Sequence, residues 1–164
     1  MSEIKEYDYP HKEDNPKLLE LIKNTSGKYI PESNRERGDN CHITEDWIGD
    51  DFHKHSEVDN FVKWLEITTE QKVENIWGVL YYDNGGIKWH SHHPNDDVSH
   101  SFVYYVNVPD NSSSTRFSKD PSKEGKDVDV QIIEGHCLVW DHNLPHCVPP
   151  SNHNGRCVIS GNLK

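Results

Sequence analysis

The sequence predicts a mainly β domain, a sandwich or jelly roll, with helices at its N-terminal end. Three observations carry this. Two early segments repeat their apolar residues at the helical period, and from about residue 77 the period becomes two. From there about eight short apolar runs follow at spacings of about 8–12 residues, separated by turn residues. The length of 164 residues, with five Trp, seven Tyr and four Phe, suits one aromatic core and not two ordinary domains.

The elements follow in order. Residues 1–14 are acidic and polar and are expected to form a loosely held arm. "NPKLLELIKN" reads as a helix, with Asn15 as N-cap, Pro16 in the first turn, and Leu18, Leu19 and Ile22 on one side. Residues 25–55, rich in Gly, Asn, Asp and His, are expected to be mostly loop. "SEVDNFVKWLEITTEQ" opens on a variant capping box, Ser56 with Asp59, and its Val58, Phe61, Val62 and Leu65 share one helix face. "ENIWGVLYY" then reads as strand, "DNGG" as a turn, and "IKWHSH" as the returning strand. "SHSFVYYVNV", "STRFS", "VDVQII", "EGHCLVWDH" and "RCVISGNL" supply further strands. The expectation is a single domain over 1–164: the arm (1–14), a helical and loop support region (15–76) and a jelly-roll core (77–164).

A formal charge of −11 disfavours a nucleic-acid backbone or an anionic membrane as partner. No apolar run approaches the roughly 18 residues of a membrane-spanning helix. The N-terminus has no apolar signal-peptide core, so a cytoplasmic location is expected. Cys41, Cys137, Cys147 and Cys157 form no CxxC pair and are expected to be thiols packed in strands.

Twelve histidines stand in the chain, and three of them occupy positions 90, 92 and 93. On a strand, residues two apart share a face, so His90 and His92 project together and His93 points away. One metal ion needs a further ligand from another strand, and His146 in "DHNLPHCVPP" is the best candidate. Three imidazoles suit Fe(II), Zn(II), Cu(II) or Ni(II). His11, His42, His53, His55, His100 and His153 are expected at the surface. An HxH pair alone is a weak signal.

The wider pattern is more specific. "HSHHPNDDVSHSFVYYVN" followed by "EGHCLVWDHNLPHCVPPSNHNGRCVIS" resembles the Fe(II)/2-oxoglutarate-dependent oxygenases, in particular the prolyl-hydroxylase-like branch and related uncharacterised bacterial and phage proteins with an HxH…H motif. The resemblance covers roughly residues 77 to 163. It rests on His90, His92, Pro94, Tyr104, Tyr105 and Asn107, then on Gly135, His146, Val148, Pro149 and Arg156. It implies a double-stranded β-helix that binds Fe(II) and uses 2-oxoglutarate as cosubstrate. The implied activity couples oxidative decarboxylation of 2-oxoglutarate to hydroxylation by O₂ of a small molecule or protein side chain. His90, His92 and His146 would be the metal-holding, catalytic residues. Arg156 would anchor the far carboxylate of 2-oxoglutarate, matching it with a planar fork of donors. Ser160 shares the strand face of Arg156 and Val158 and is a second cosubstrate candidate. Tyr105, through its hydroxyl, and Tyr82, ahead of the "DNGG" turn, complete the set. Trp89 and Trp140 are expected to pack rather than to line a pocket.

The family's usual second ligand is a carboxylate, and here that position is His92. A neutral imidazole there leaves one more positive charge on the metal complex. Asp96 or Asp97 in the "PNDD" loop is a candidate carboxylate in its place. Two alternative readings remain: a tris-histidine Zn(II) hydrolase or hydratase, and a non-enzymatic, cupin-like metal-binding module. Substrate and oligomeric state carry no sequence signal.

Overall fold

The computed structural model describes residues 4–25, 38–44, 54–92, 98–118, 127–152 and 154–164. Among them nine strands and two helices stand in the order β1 (Lys5–Asp8), α1 (Asn15–Thr25), β2 (Gly38–Ile43), α2 (Ser56–Thr69), β3 (Val73–His90), β4 (His100–Asn107), β5 (Thr115–Ser118), β6 (Asp127–Val130), β7 (His136–Asp141), β8 (His146–Val148) and β9 (Cys157–Leu163). Every described pairing is antiparallel. The strand order is β1-β7-β4-β9-β3-β8-β5-β6, with β2 also paired to β3. The sheet curls into the jelly roll expected from the sequence.

Strand alternation divides the apolar residues into two cores. On one face Phe102, Tyr104 and Val106 of β4, Cys137 and Val139 of β7, and Cys157, Ile159 and Leu163 of β9 meet Leu18 and Ile22 of α1 and Phe61, Val62 and Leu65 of α2. On the other face Val103, Tyr105, Leu138, Trp140 and Val158 meet Val79, Tyr81, Phe117 and Val148 inside the curl. The helices therefore cover one side and leave the other to enclose a cavity. All four cysteines are buried thiols.

Several local expectations are corrected. The arm is not loose: β1 pairs with β7 from Lys5↔Val139 to Asp8↔His136, and Tyr9 is wholly buried against Phe61, Trp64 and Tyr104. Lys12 pairs with Asp8 just beyond it. Asn15 does not cap α1 from outside. A 3₁₀ turn over Lys12–Asp14 runs directly into the helix, so Asn15 has helical dihedrals, and its buried side chain accepts a hydrogen bond from the Tyr104 hydroxyl at 2.5 Å. His55, not Ser56, is the N-cap of α2, and it makes no side-chain cap bond. Within the 25–55 region Gly38–Ile43 is strand, held along β3.

The largest departure is at "DNGG". No hairpin forms there, and β3 runs unbroken for 18 residues. Its first half pairs with β9 and its second half with β8, while β2 spans both. Asn84 takes a left-handed φ of 61° at the handover, with register shifts nearby in both the β2 and β8 pairings. At Gly86 a Cβ would stand 2.7 Å from the Val148 carbonyl oxygen, so the absence of a side chain lets the strands close. The turn-like composition thus serves a bend in a continuous strand.

Gly161 is the tightest point of β9. A Cβ there would strike the Asn75 carbonyl oxygen and stand 2.6 Å from Phe102 Cζ. Backbone cannot yield as a side chain can. Gly161→Ala should therefore lower stability by roughly 2–3 kcal/mol, read as a fall in the urea midpoint at unchanged m-value.

Candidate metal and cosubstrate site

The inner face of the curl encloses a cavity of about 280 Å³. His90, His92 and His146 stand at one part of it, and Arg156 and Thr115 at another. Between them the walls are mostly apolar: Trp77, Val79, Val103, Trp140, Val148 and Val158.

The histidines are placed by the ends of three segments. His90 is the last residue of β3 and lies directly opposite His146, the first of β8. The chain continues extended to His92, whose N–H donates to the His142 carbonyl at 3.0 Å. The ring centroids of His90 and His146 are 4.2 Å apart, and that of His92 is 5.4 and 5.2 Å from them. One ring nitrogen from each lies within 4.8 Å of the others, close enough for one ion to draw them together. No Asp or Glu among the described residues joins this cluster. His93, Asp96 and Asp97 lie outside the described residues, as do His53 and His153. His100 opens β4 and bonds to Gln71 and Ser99, away from the cluster.

The second nitrogen of each ring is tied down. His90 Nδ1 donates to the Lys88 carbonyl at 2.8 Å, and His146 Nδ1 to the Leu144 carbonyl at 3.0 Å. Carbonyl oxygens only accept, so these rings carry their proton on Nδ1 and turn the Nε2 lone pair toward the cluster. His92 Nδ1 lies 2.5 Å from the Asn162 side-chain oxygen and 3.0 Å from Ser101 Oγ, which gives the same tautomer. Metal-binding histidines are usually oriented in this way. Trp140 and Phe117 pack edge and face against His146. Burial, reinforced by the neighbouring His90, holds the His146 pKa well below its ordinary 6.5, so this imidazole is neutral at physiological pH and fit to be a ligand.

Arg156 is 1% exposed. Gly155, at φ +93°, turns the chain into it, and its backbone pairs with Tyr81. Its Nη1 donates to the Ser113 carbonyl at 2.5 Å, and its Nη2 to Thr115 Oγ1 at 3.4 Å. Among the described residues its Nε has no hydrogen-bond partner. The guanidinium lies 5.2 Å from the Tyr81 ring centroid and 5.9 Å from that of Tyr105. Among the described residues no carboxylate faces it. A buried cation without a counter-charge costs several kcal/mol.

The other sequence candidates divide. Ser160 lines the cavity, in register with Trp77 on one side and Val103 on the other. Tyr105 is fully buried and bonds Thr115 Oγ1 at 2.6 Å; burial pushes its phenol up to about 12 against the pull of Arg156. Tyr82 is not part of the cavity wall: strand parity turns it outward, 38% exposed, toward His42. Its neighbour Tyr81 faces inward instead, as parity with Trp77 and Val79 required. Trp89 is 46% exposed, whereas Trp140 both packs and lines the cavity. Thr115 and Asn162 were missed. Asn162 extends by one step the row Arg156, Val158, Ser160, while nothing in the loop before β5 marked Thr115.

No protein-family model and no curated protein sequence matches the chain. The fold is nonetheless shared with solved enzymes. A prolyl-4-hydroxylase from Pseudomonas putida superposes with a TM-score of 0.67 at 14% identity, over 100% of this chain and 93% of that one. A Trichoplax adhaerens prolyl hydroxylase, in complex with a hypoxia inducible factor peptide fragment, gives 0.73 at 16% identity over 98% and 82%. HygX from Streptomyces hygroscopicus, with nickel, 2-oxoglutarate and hygromycin B bound, gives 0.67 at 9% identity over 99% and 82%. The architecture is the jelly roll of the 2-oxoglutarate-Fe(II) oxygenases. Among the described residues no helix is long and apolar enough to cross a membrane.

The depressed His146 pKa has a consequence in metal-free protein. As pH falls below about 6.5, the unfolded chain takes up the His146 proton before the folded chain does. This residue's contribution to stability is therefore complete above that pH and is lost as pH falls toward the folded-state value. Urea midpoints measured with chelator from about pH 8 to about pH 5 should fall more steeply for the wild type than for His146→Phe.

Proposed function

We propose that this chain is an Fe(II)- and 2-oxoglutarate-dependent oxygenase that hydroxylates a small molecule or a protein side chain. One observation carries the reading: a buried guanidinium with no carboxylate partner among the described residues opens on the same cavity as three converging imidazoles. A zinc hydrolase or a bare metal-binding module needs the imidazoles but has no use for that cation. The residues fit the implied metal, since Nδ1 of each ring is engaged in a hydrogen bond, leaving Nε2 to offer, and one ring nitrogen from each lies within 4.8 Å of the others.

When bound, Fe(II) and 2-oxoglutarate supply the oxidising chemistry, in which O₂ and the oxoacid are consumed, succinate and CO₂ are released, and a C–H bond is hydroxylated. The protein's part is positioning. His90, His92 and His146 would hold the metal, each through Nε2. Arg156 binds the far carboxylate, with Thr115 as a hydroxyl partner and the Tyr81 and Tyr105 rings flanking the guanidinium. Ser160 lies along the wall between the two ends. Apolar side chains there keep water from competing for both charged groups. The cavity is near the lower end for small-ligand sites, which suits a dicarboxylate with a substrate approaching from the mouth. A cytoplasmic location belongs to the same proposal.

The test is anaerobic binding of 2-oxoglutarate with Fe(II), followed by turnover once O₂ is admitted. Wild type should form succinate from 2-oxoglutarate, and Arg156→Met should bind the cosubstrate roughly 100-fold more weakly. Because the replacement removes an uncompensated buried charge, its thermal stability should be unchanged or raised. A protein that retains zinc under iron-replete anaerobic purification and ignores 2-oxoglutarate would exclude the proposal.

A further inference from the structure

The second ligand of this metal face is a histidine, and its Nδ1 is held by side chains of the described residues. His90 and His146 lean on the carbonyls two residues before them, which any sequence would provide. His92 leans on Asn162 at 2.5 Å, from a strand 70 positions away. Asn162 is 4% exposed and sits in a rung of three cross-strand partners, Asn75 on β3, Asn162 on β9 and Ser101 on β4. Its Nδ2 donates to Asn75 Oδ1 at 2.7 Å. Its Oδ1 accepts from Ser101 Oγ at 2.8 Å as well as from His92. In this orientation the amide nitrogen is committed to Asn75 and the oxygen faces His92 and Ser101. Such a fully satisfied polar network in a buried sheet is costly to build and rigid once built.

We propose that Asn162, oriented by Asn75 and Ser101, is the positioning residue that makes His92 a metal ligand in a place where a carboxylate would need no such help. A carboxylate can present either oxygen to an ion. An imidazole binds through one atom only, and only in one tautomer and one ring plane. The rung supplies the tautomer and the plane before metal arrives. Because an amide is neutral, it fixes the ring without adding the negative charge that a carboxylate partner would.

This inference rests on the metal site of the proposed function, and the experiment separates the two. Titrating metal-free protein with Co(II) and following its d–d absorption gives affinity without reference to activity. Wild type should bind one ion. Asn162→Ala should bind it roughly 10- to 100-fold more weakly. Asn162→Asp keeps an acceptor for His92 and should bind at least as tightly as wild type. Ser101→Ala, which removes one contact to the amide oxygen, should fall between. In metal-free protein, ¹⁵N spectra should show His92 protonated on Nδ1 in wild type and distributed between both nitrogens in Asn162→Ala. Equal affinity in Asn162→Ala, or an equal loss in the Asp and Ala variants, would overturn the positioning role and leave the metal site standing. Failure of wild type to bind Co(II) through its histidines would overturn both.

Discussion

Strand β9 governs the rest of the molecule, because β3 and β4 flank it on both sides, one of its faces lies under the helices and the other borders the cavity. Each residue must therefore serve one of two environments. Cys157, Ile159 and Leu163 go to the core under the helices, and Gly161 takes the place where Phe102 and the Asn75 carbonyl leave no room for a side chain. On the opposite parity Arg156, Val158 and Ser160 face the cavity, and Asn162 continues the row to meet His92. Along that one row lie the cation at one end, the wall in the middle and the support of the metal ligand at the other. A shift of one residue in register would bury Ile159 in the cavity and send the guanidinium into an apolar core.

The charge distribution inside the curl follows from the same row. The described interior holds one fixed cation and no carboxylate, and three imidazoles converge at its other end, with burial holding the His146 pKa well below its ordinary value. A structural core would not keep this arrangement, since a well-packed apolar residue in place of Arg156 would be favoured. The arrangement becomes favourable when an anion neutralises the guanidinium and a metal ion satisfies the imidazoles. One connected cavity carries both the guanidinium and the imidazoles, and the proposed function supplies a partner for each, a chelating anion and a metal.

Much of this was legible in the sequence where period and parity act alone. The two helices, the change to a period of two, the pairing of His90 with His92, and the inward row from Arg156 to Ser160 all follow from local geometry. The legible part stopped where tertiary contacts decide. Lys5–Asp8 looks like a polar arm because an edge strand paired to β7 needs few apolar residues of its own. Asn15 looks like a cap because its role as acceptor for Tyr104 depends on a residue 89 positions away. Tyr82 looked like a pocket residue only on the assumption of a turn beside it. Asn162 stood in plain view on the correct face, but its function depends on three partners from different parts of the chain.

The continuous β3 shows how such a misreading bears on chemistry. Had "DNGG" reversed the chain, the segment carrying His90 would have folded back along Tyr81 and Tyr82 and been held by its own hairpin. Its register would then be local, and nothing would bring it to β8. By running straight on with only a bend, β3 exchanges partners, leaving β9 after Leu80 and meeting β8 by Ile87. That exchange delivers His90 opposite His146, and the next two residues carry His92 back over the end of β9 to Asn162. The glycine and asparagine that suggest a turn are needed because a strand passing between two partners must bend and let a carbonyl approach closely. The metal face is thus a product of the handover: one strand touches both halves of the curl, and the three histidines collect where it crosses from one to the other.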